Sequence, residues 1–168
     1  MSNVRALVRV PALLFLLSAN AFAGGTHCAP AETVVFSCVL AADKVVSMCL
    51  AKSLAAKPAA LSYRFGRLGA PELVFPKSPS GSLERFRYAH YSRYQADRTE
   101  LSFSNAGAEY SVFDYDDGEE KRKYARGVHV SANGKHHELL CKSGVVSNLS
   151  ALETVVPCDA ENALASCR

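Results

Sequence analysis

Apolar and polar residues alternate along most of this chain with the two-residue period of half-buried β-strands, and clusters of turn residues interrupt the alternation repeatedly. Residues 33–40 and 44–50 are β-branched, apolar runs around Ala41-Ala42-Asp43, which predicts a hairpin with a short loop. Setting Leu40 against Ser47 places Cys38 opposite Cys49. Opposed strand residues have a Cβ separation suited to a disulfide, so Cys38–Cys49 is the first expected bridge. Residues 51–60, rich in Ala and Lys around Pro58, read as a connector. Residues 61–65 alternate as a strand, 66–69 turn, and 72–75 return until Pro76. Residues 77–82 are the clearest loop.

Residues 84–98 are rich in Arg and Tyr. In a strand, Phe86, Tyr88 and His90 share one face while Arg85 and Arg87 take the other. A short strand at 101–103 ends on Asn105-Ala106-Gly107, and 109–115 form an aromatic-rich strand. Residues 116–123 read as a charged loop. Residues 127–132 and 135–141 flank Asn133-Gly134, whose two positive-φ residues suit a type I′ hairpin turn. Residues 145–154 are read as a short helix stopped by Pro157, with Leu149, Leu152 and Val156 near one face. This pattern of about eight or nine short strands predicts an all-β antiparallel barrel or sandwich, the barrel preferred, with one short C-terminal helix.

The N-terminus departs from the alternation. Arg5 and Arg9 precede an apolar run at 10–17, and Ala21-Phe22-Ala23 forms a small-x-small cleavage site before Gly24. That layout predicts a secretory signal peptide over 1–23 and a single domain over 24–168, periplasmic or secreted. The run is too short to span a bilayer, and no later segment is long enough either, so no membrane span is expected after cleavage. Cleavage leaves 145 of the 168 residues, enough for one core. Removing Arg5 and Arg9 from the 19 basic side chains leaves 17 against 16 acidic ones. Such a balance argues against nucleic acid as a partner.

All six cysteines, Cys28, Cys38, Cys49, Cys141, Cys158 and Cys167, follow the leader. An even number in an exported chain reads as a disulfide framework, here three bridges. Cys141–Cys158 would close the last excursion onto the final hairpin, and Cys28–Cys167 follows by elimination.

Candidate chemistry is sparse. The G-x-S-x-G marker of serine hydrolases is missing. His136 and His137 point to opposite faces of a strand and cannot jointly grip a metal. Asp114, Asp116, Asp117, Glu119 and Glu120 surround Gly118, but the run lacks the ligand spacing of a calcium loop and reads as a solvated turn. No metal site, catalytic residue or cofactor is expected. Asn148-Leu149-Ser150 is a glycosylation sequon that matters only in a eukaryotic secretory pathway. The most suggestive surface combines Arg85, Arg87, Arg93 and Arg98 with Tyr88, Tyr91 and Tyr94, because Arg and Tyr anchor protein interfaces and stack on sugars. The sequence leaves the oligomeric state open.

Three segments carry a resemblance. They are Phe36-Ser37-Cys38 with Lys44-Val45-Val46-Ser47-Met48-Cys49, Tyr63-Arg64-Phe65-Gly66 with Pro71-Glu72-Leu73, and Arg98-Thr99-Glu100-Leu101-Ser102-Phe103. Together they resemble small exported proteins of Gram-negative bacteria with no assigned function, which implies a compartment. A second likeness is to the periplasmic lysozyme inhibitors, small disulfide-bonded β-barrels whose inhibitory loop carries Ser-Gly-x-x-Tyr. Ala106-Gly107-Ala108-Glu109-Tyr110 matches at Gly107 and Tyr110, with Ala106 in the serine position. The expectation is a non-enzymatic protein that binds a protein or glycan of the cell envelope through Arg85, Arg87, Tyr91, Arg93, Gly107 and Tyr110. A lysozyme inhibitor-like protein and a cell-envelope hydrolase are the alternatives.

Overall fold

The computed structural model describes residues 25–51, 60–118 and 123–165. The expected leader, the 52–59 connector, Glu119, Glu120 and Cys167 lie outside the described residues. The described chain folds into ten antiparallel strands: β1 (Glu32–Val39), β2 (Lys44–Ala51), β3 (Ala60–Arg67), β4 (Ala70–Phe75), β5 (Arg87–Arg93), β6 (Ala96–Asn105), β7 (Ala108–Asp117), β8 (Lys123–Ala132), β9 (Lys135–Leu140) and β10 (Ser143–Ser147).

They form two five-stranded sheets. Sheet A runs β10-β1-β2-β3-β4 and sheet B runs β5-β6-β7-β8-β9. Neighbours in space are neighbours in sequence except where β10 returns to pair with β1. The all-β expectation holds. The preferred barrel does not close, since no ladder joins β4 to β5 or β9 to β10.

The turns explain the meander. Asn133 and Gly134 adopt φ of 50° and 70°, as a two-residue hairpin turn requires, and Ala106 and Gly107 do the same at 51° and 79°. Two glycines are needed for close approach. A Cβ on Gly66, at φ 149°, would lie 2.5 Å from the Glu72 amide nitrogen. One on Gly127 would lie 2.2 Å from the Leu139 carbonyl oxygen.

Aromatic rings fill the space between the sheets. Phe103 stacks on Phe75 at 4.4 Å and on Tyr110 at 4.8 Å, with Tyr63 and Phe86 against the same ring. Tyr63 and Phe86 are fully buried, and burying a large side chain of this kind stabilises by about 1.5–3 kcal/mol. Burial raises the pKa of the Tyr63 phenol, with the nearby Tyr110 adding to the shift.

The C-terminal part differs from expectation. Residues 143–147, assigned in part to a helix by pattern, form β10. Only a single 3-10 turn, Leu149–Leu152, follows it, and among the described residues there is no α-helix. The apolar residues do face inward: Leu149, Leu152 and Val156 are buried in the common core. The chain then crosses to the open edge of β5, where the Tyr88 amide donates to the Pro157 carbonyl and the Asp159 amide to the Tyr88 carbonyl.

The disulfides overturn the expected pairing. Cys28 is joined to Cys49, and Cys38 to Cys141. The reason is register. The three-residue turn Ala41–Asp43 closes the hairpin with the Leu40 amide bonded to the Lys44 carbonyl, which sets Cys38 opposite Val46. Cys38 then belongs to the core face. A bulge at Val35 puts Cys49 opposite Val34, on the outer face. Cys38 therefore meets Cys141 at the corner where the chain passes from β9 in sheet B to β10 in sheet A. Cys49 meets Cys28 in the segment that precedes β1. Both of these exclude Cys38–Cys49, Cys141–Cys158 and Cys28–Cys167. Cys158 is also disulfide-bonded.

Candidate functional site

The N-terminal segment 25–31 lies across the outer face of sheet A. Ser37, Ser47 and Arg64 share a row on that face by register. Ser47 accepts hydrogen bonds from the His27 amide and the Thr26 hydroxyl, both at 3.1 Å, and its hydroxyl lies 3.0 Å from that of Ser37. Arg64 forms two 2.7 Å hydrogen bonds to the Glu32 carboxylate and a third, also 2.7 Å, to the His27 carbonyl. Burial works against the charge of Glu32. The Arg64 hydrogen bonds, the Ala29 amide and the Arg64 charge outweigh it and hold the carboxyl below its usual range. Sulfur and carboxylate ligand atoms of Cys28, Cys49 and Glu32 cluster within 4.8 Å, but the two sulfurs are bonded to each other. This face is a latch.

Sheet B holds the polar chemistry. Arg85 ends a 3-10 turn (Leu83–Arg85) and Arg87 begins β5. Both line an open groove of about 660 Å³ at the gap between β4 and β5. Phe75 and Phe103 form its floor. Ser102, Ser104 and Glu109 come from β6 and β7, and Asp159 and Glu161 from the C-terminal segment. The Arg87 guanidinium donates to the carbonyls of Glu84 at 2.9 Å and Phe86 at 2.8 Å. Ser104 donates to Glu109 at 2.7 Å, and Ser102 to Asp159 at 3.0 Å. Arg85 is exposed. The lining thus alternates basic and acidic groups over an aromatic floor, and its volume falls in the range of small-ligand clefts.

The other expected residues are placed differently. Gly107 sits in the exposed β6–β7 turn, two residues from the groove-lining Glu109. The Tyr110 ring is half-buried, stacked on Phe103. Tyr91 is exposed on β5 opposite Arg98. Arg93 lines a separate groove of about 420 Å³ at the far end of β5, with Ser92, Gln95, Asp97 and Asp116. Arg85 and Arg87 are therefore brought together and Arg93 is not, so the three make no continuous basic stripe.

The described part of the acidic run, Asp114, Asp116 and Asp117, belongs to β7 and not to a loop. Asp114 pairs with Arg126 at 2.7 Å, and Asp117 takes two hydrogen bonds from Arg98 at 3.0 and 2.9 Å. Arg98 also lies over the Tyr115 ring, and its hydrogen bond to Asp117 keeps it more basic than usual. Glu100 accepts hydrogen bonds from Ser111, Tyr115 and Asn162, anchoring the C-terminal segment to the outer face of sheet B. Burial, then the Glu100 hydrogen bond and charge, push the Tyr115 phenol up. His136 and His137 lie on opposite faces of β9. His136 bonds Ser131 at 2.7 Å, and His129 lies 3.9 Å from Glu138.

Sequence reasoning missed Asp159 and Glu161 as groove residues. Their approach depends on the chain crossing from β10 to β5, and no local pattern encodes that. No helix among the described residues is long and apolar enough to cross a membrane. No family model, curated protein or solved structure matches the chain.

Proposed function

We propose that this is an exported, non-enzymatic binding protein of the periplasm or extracellular space, which recognises a protein or glycan of the cell envelope. The leader-like N-terminus and the disulfides support that compartment. The observation that carries the reading is the groove between β4 and β5. There Arg85 and Arg87 stand among Glu84, Glu109, Asp159 and Glu161 above Phe75 and Phe103. Charges of both signs around an aromatic floor suit a ligand that presents hydroxyls, amides and mixed charge.

The test is capture. Purified mature protein on a resin, exposed to envelope extract and to cell-wall glycan fragments, retains a ligand. Arg85→Glu releases it, while Arg93→Glu in the other groove leaves retention unchanged. Equal loss with both substitutions, or no retained ligand, refutes the assignment.

A lysozyme inhibitor-like role is the second reading. It is favoured by the exposed Ala106-Gly107 turn beside the groove-lining Ser104 and Glu109. The turn would enter the enzyme cleft. Slowed cell-wall lysis by one of several lysozyme types supports it, provided that enlarging the turn with Ala106→Trp abolishes the effect. Unchanged lysis with every type removes this reading.

A further inference from the structure

β6 outruns its neighbour β5. The two strands pair without a bulge from Arg93 opposite Ala96 to Arg87 opposite Ser102, and β6 then continues to Asn105 with no strand on that side. The chain that would extend β5 has turned away into the Leu83–Arg85 3-10 turn. The groove of about 660 Å³ opens here, with Ser102, Phe103 and Ser104 along it.

The backbone of β6 is turned toward this opening at one residue. Tyr88 directs its amide and carbonyl away from β6, to Pro157 and Asp159. Backbone groups alternate sides along a strand, so Arg87 directs its own at Ser102, and Ser102 faces β5. Ser104, two residues on, faces the same side. The turn that follows requires the same orientation. Asn105 and Ala108 close the two-residue turn Ala106-Gly107 as a hydrogen-bonded pair, so Asn105 faces β7 and Ser104 faces away from it. The β6–β7 ladder has no bulge that would break this alternation. Ser104 is exposed, and among the described residues no hydrogen bond takes up its amide or carbonyl. The groove therefore holds one open donor and one open acceptor of an extended strand.

We propose that the groove takes a short extended peptide of mixed charge, which adds to β6 where β5 stops and exchanges N–H and C=O bonds with Ser104. This rests on the groove being the binding site and narrows its occupant to a peptide. Addition of a peptide to an open strand is a recurrent mode of recognition, in which main-chain bonds give affinity. A glycan has no backbone of alternating N–H and C=O to match it. Charge selects the peptide. Glu109 and Asp159 accept from serines and Arg87 donates to carbonyls, so these groove charges are not spent on one another. With Glu84 and Glu161 the carboxylates outnumber Arg85 and Arg87. The peptide thus presents an ammonium to the acidic groups and a carboxylate to Arg85.

Resin-bound mature protein is offered three probes: a pool of tetrapeptides with free termini and one lysine each, the same pool with its backbone amides N-methylated, and a tetrasaccharide of N-acetylglucosamine. The unmethylated pool is retained and the other two are not. Ser104→Pro deletes the open amide hydrogen on a side of β6 that no strand occupies, and lowers peptide retention by about tenfold or more because a peptide carbonyl is left without a donor. Hydrogen exchange reads the same contact: the Ser104 amide exchanges fast in the free protein and is protected when the peptides are bound. Circular dichroism checks that Ser104→Pro folds, and if it does not, the methylated pool and the exchange of Ser104 decide. Equal retention of the methylated pool, an unprotected Ser104 amide, or retention of the tetrasaccharide alone overturns the peptide and leaves the groove as a site. So does capture of envelope material with no tetrapeptide retained. Retention of neither tetrapeptides nor envelope material removes the groove reading as well.

Discussion

The outer faces of the two sheets are built on opposite plans. That of sheet A is largely covered, with a small opening of about 250 Å³ beside Glu32, Ser62 and Arg64. Ser37 and Ser47 are almost wholly buried beneath the N-terminal segment, their hydroxyls bonded to each other and to that segment. Arg64 is spent on Glu32 and on the His27 carbonyl, and Cys49 is spent on Cys28. Among the described residues, the C-terminal segment touches the outer face of sheet B at Ser102 and Glu100. It leaves Arg85, Tyr91 and Tyr94 exposed. A face whose polar groups are mostly engaged by its own chain offers a ligand less than a face with open arginine and tyrosine. On the function proposed above, sheet A is the support and sheet B the working side.

The largest effect comes from the bond that ties the two together. Cys38–Cys141 closes a loop with a sequence separation of 103 residues at the corner between β9 and β10. Replacing both cysteines with serine costs about 4–5 kcal/mol, read as a lower urea midpoint, because long loops lose the most chain entropy when cross-linked. Sheet A and sheet B should then lose hydrogen-exchange protection unequally, first along β10.

Opening the latch on sheet A is the next largest. Cys28→Ser with Cys49→Ser removes a crosslink spanning 21 residues and costs about 3 kcal/mol. Exchange should rise in residues 25–31 while sheet B stays protected. If sheet B loosens equally, the two faces are not separate in function, and the contrast drawn above fails.

What the sequence revealed about these regions follows from the range of the forces involved. The strand period and the Asn133-Gly134 turn act within a few residues, so the all-β class and that hairpin were readable. The β1–β2 register was not, because it hangs on whether the loop holds three residues or more. The expected register set Cys49 beside Cys38 on the core face, whereas the observed one turns Cys49 outward, and the expected disulfide pairings fail with it. The packing of the N-terminal segment over Ser37 and Ser47 was not legible, since its partners are some twenty residues away. At the site, Arg85 and Arg87 were legible as neighbouring arginines, but only Arg87 lies in the expected strand and Arg85 ends a 3-10 turn. Their acidic neighbours Asp159 and Glu161 were not, because the turn at Leu149–Leu152 carries them there through burial of Leu149 and Leu152. Segment 145–154 was misassigned because Leu and Val at helical spacing fit an exposed edge strand followed by a buried 3-10 turn equally well.

The ion pair of the latch gives a smaller and pH-dependent effect. Glu32 has a folded pKa held below its ordinary 4.5. A depressed carboxyl contributes stability that is fully present above the unfolded pKa and is lost as pH falls through the folded one. Acid should therefore release residues 25–31. Glu32→Gln should cost about 1–3 kcal/mol at neutral pH and flatten the acid dependence below about pH 4.5. An unchanged acid profile in that variant would mean that other carboxylates carry the transition.

The smallest effect on stability falls on the working side, where the largest effect on binding is expected. Arg85 ends a turn, is exposed, and lines the groove beside Glu84 and Glu161. Arg85→Ala should change stability by no more than about 0.5 kcal/mol, the range for an exposed residue outside packing and hydrogen-bond networks. The same variant should lose the envelope ligand, since an interface arginine is a frequent energetic anchor. Arg64→Ala on sheet A should do the reverse, lowering stability through the latch while ligand retention persists. Measuring urea midpoints and retention on both variants sets the two faces side by side. Matching losses from Arg64→Ala and Arg85→Ala would show that the groove needs the latch, and sheet A would no longer be only a support.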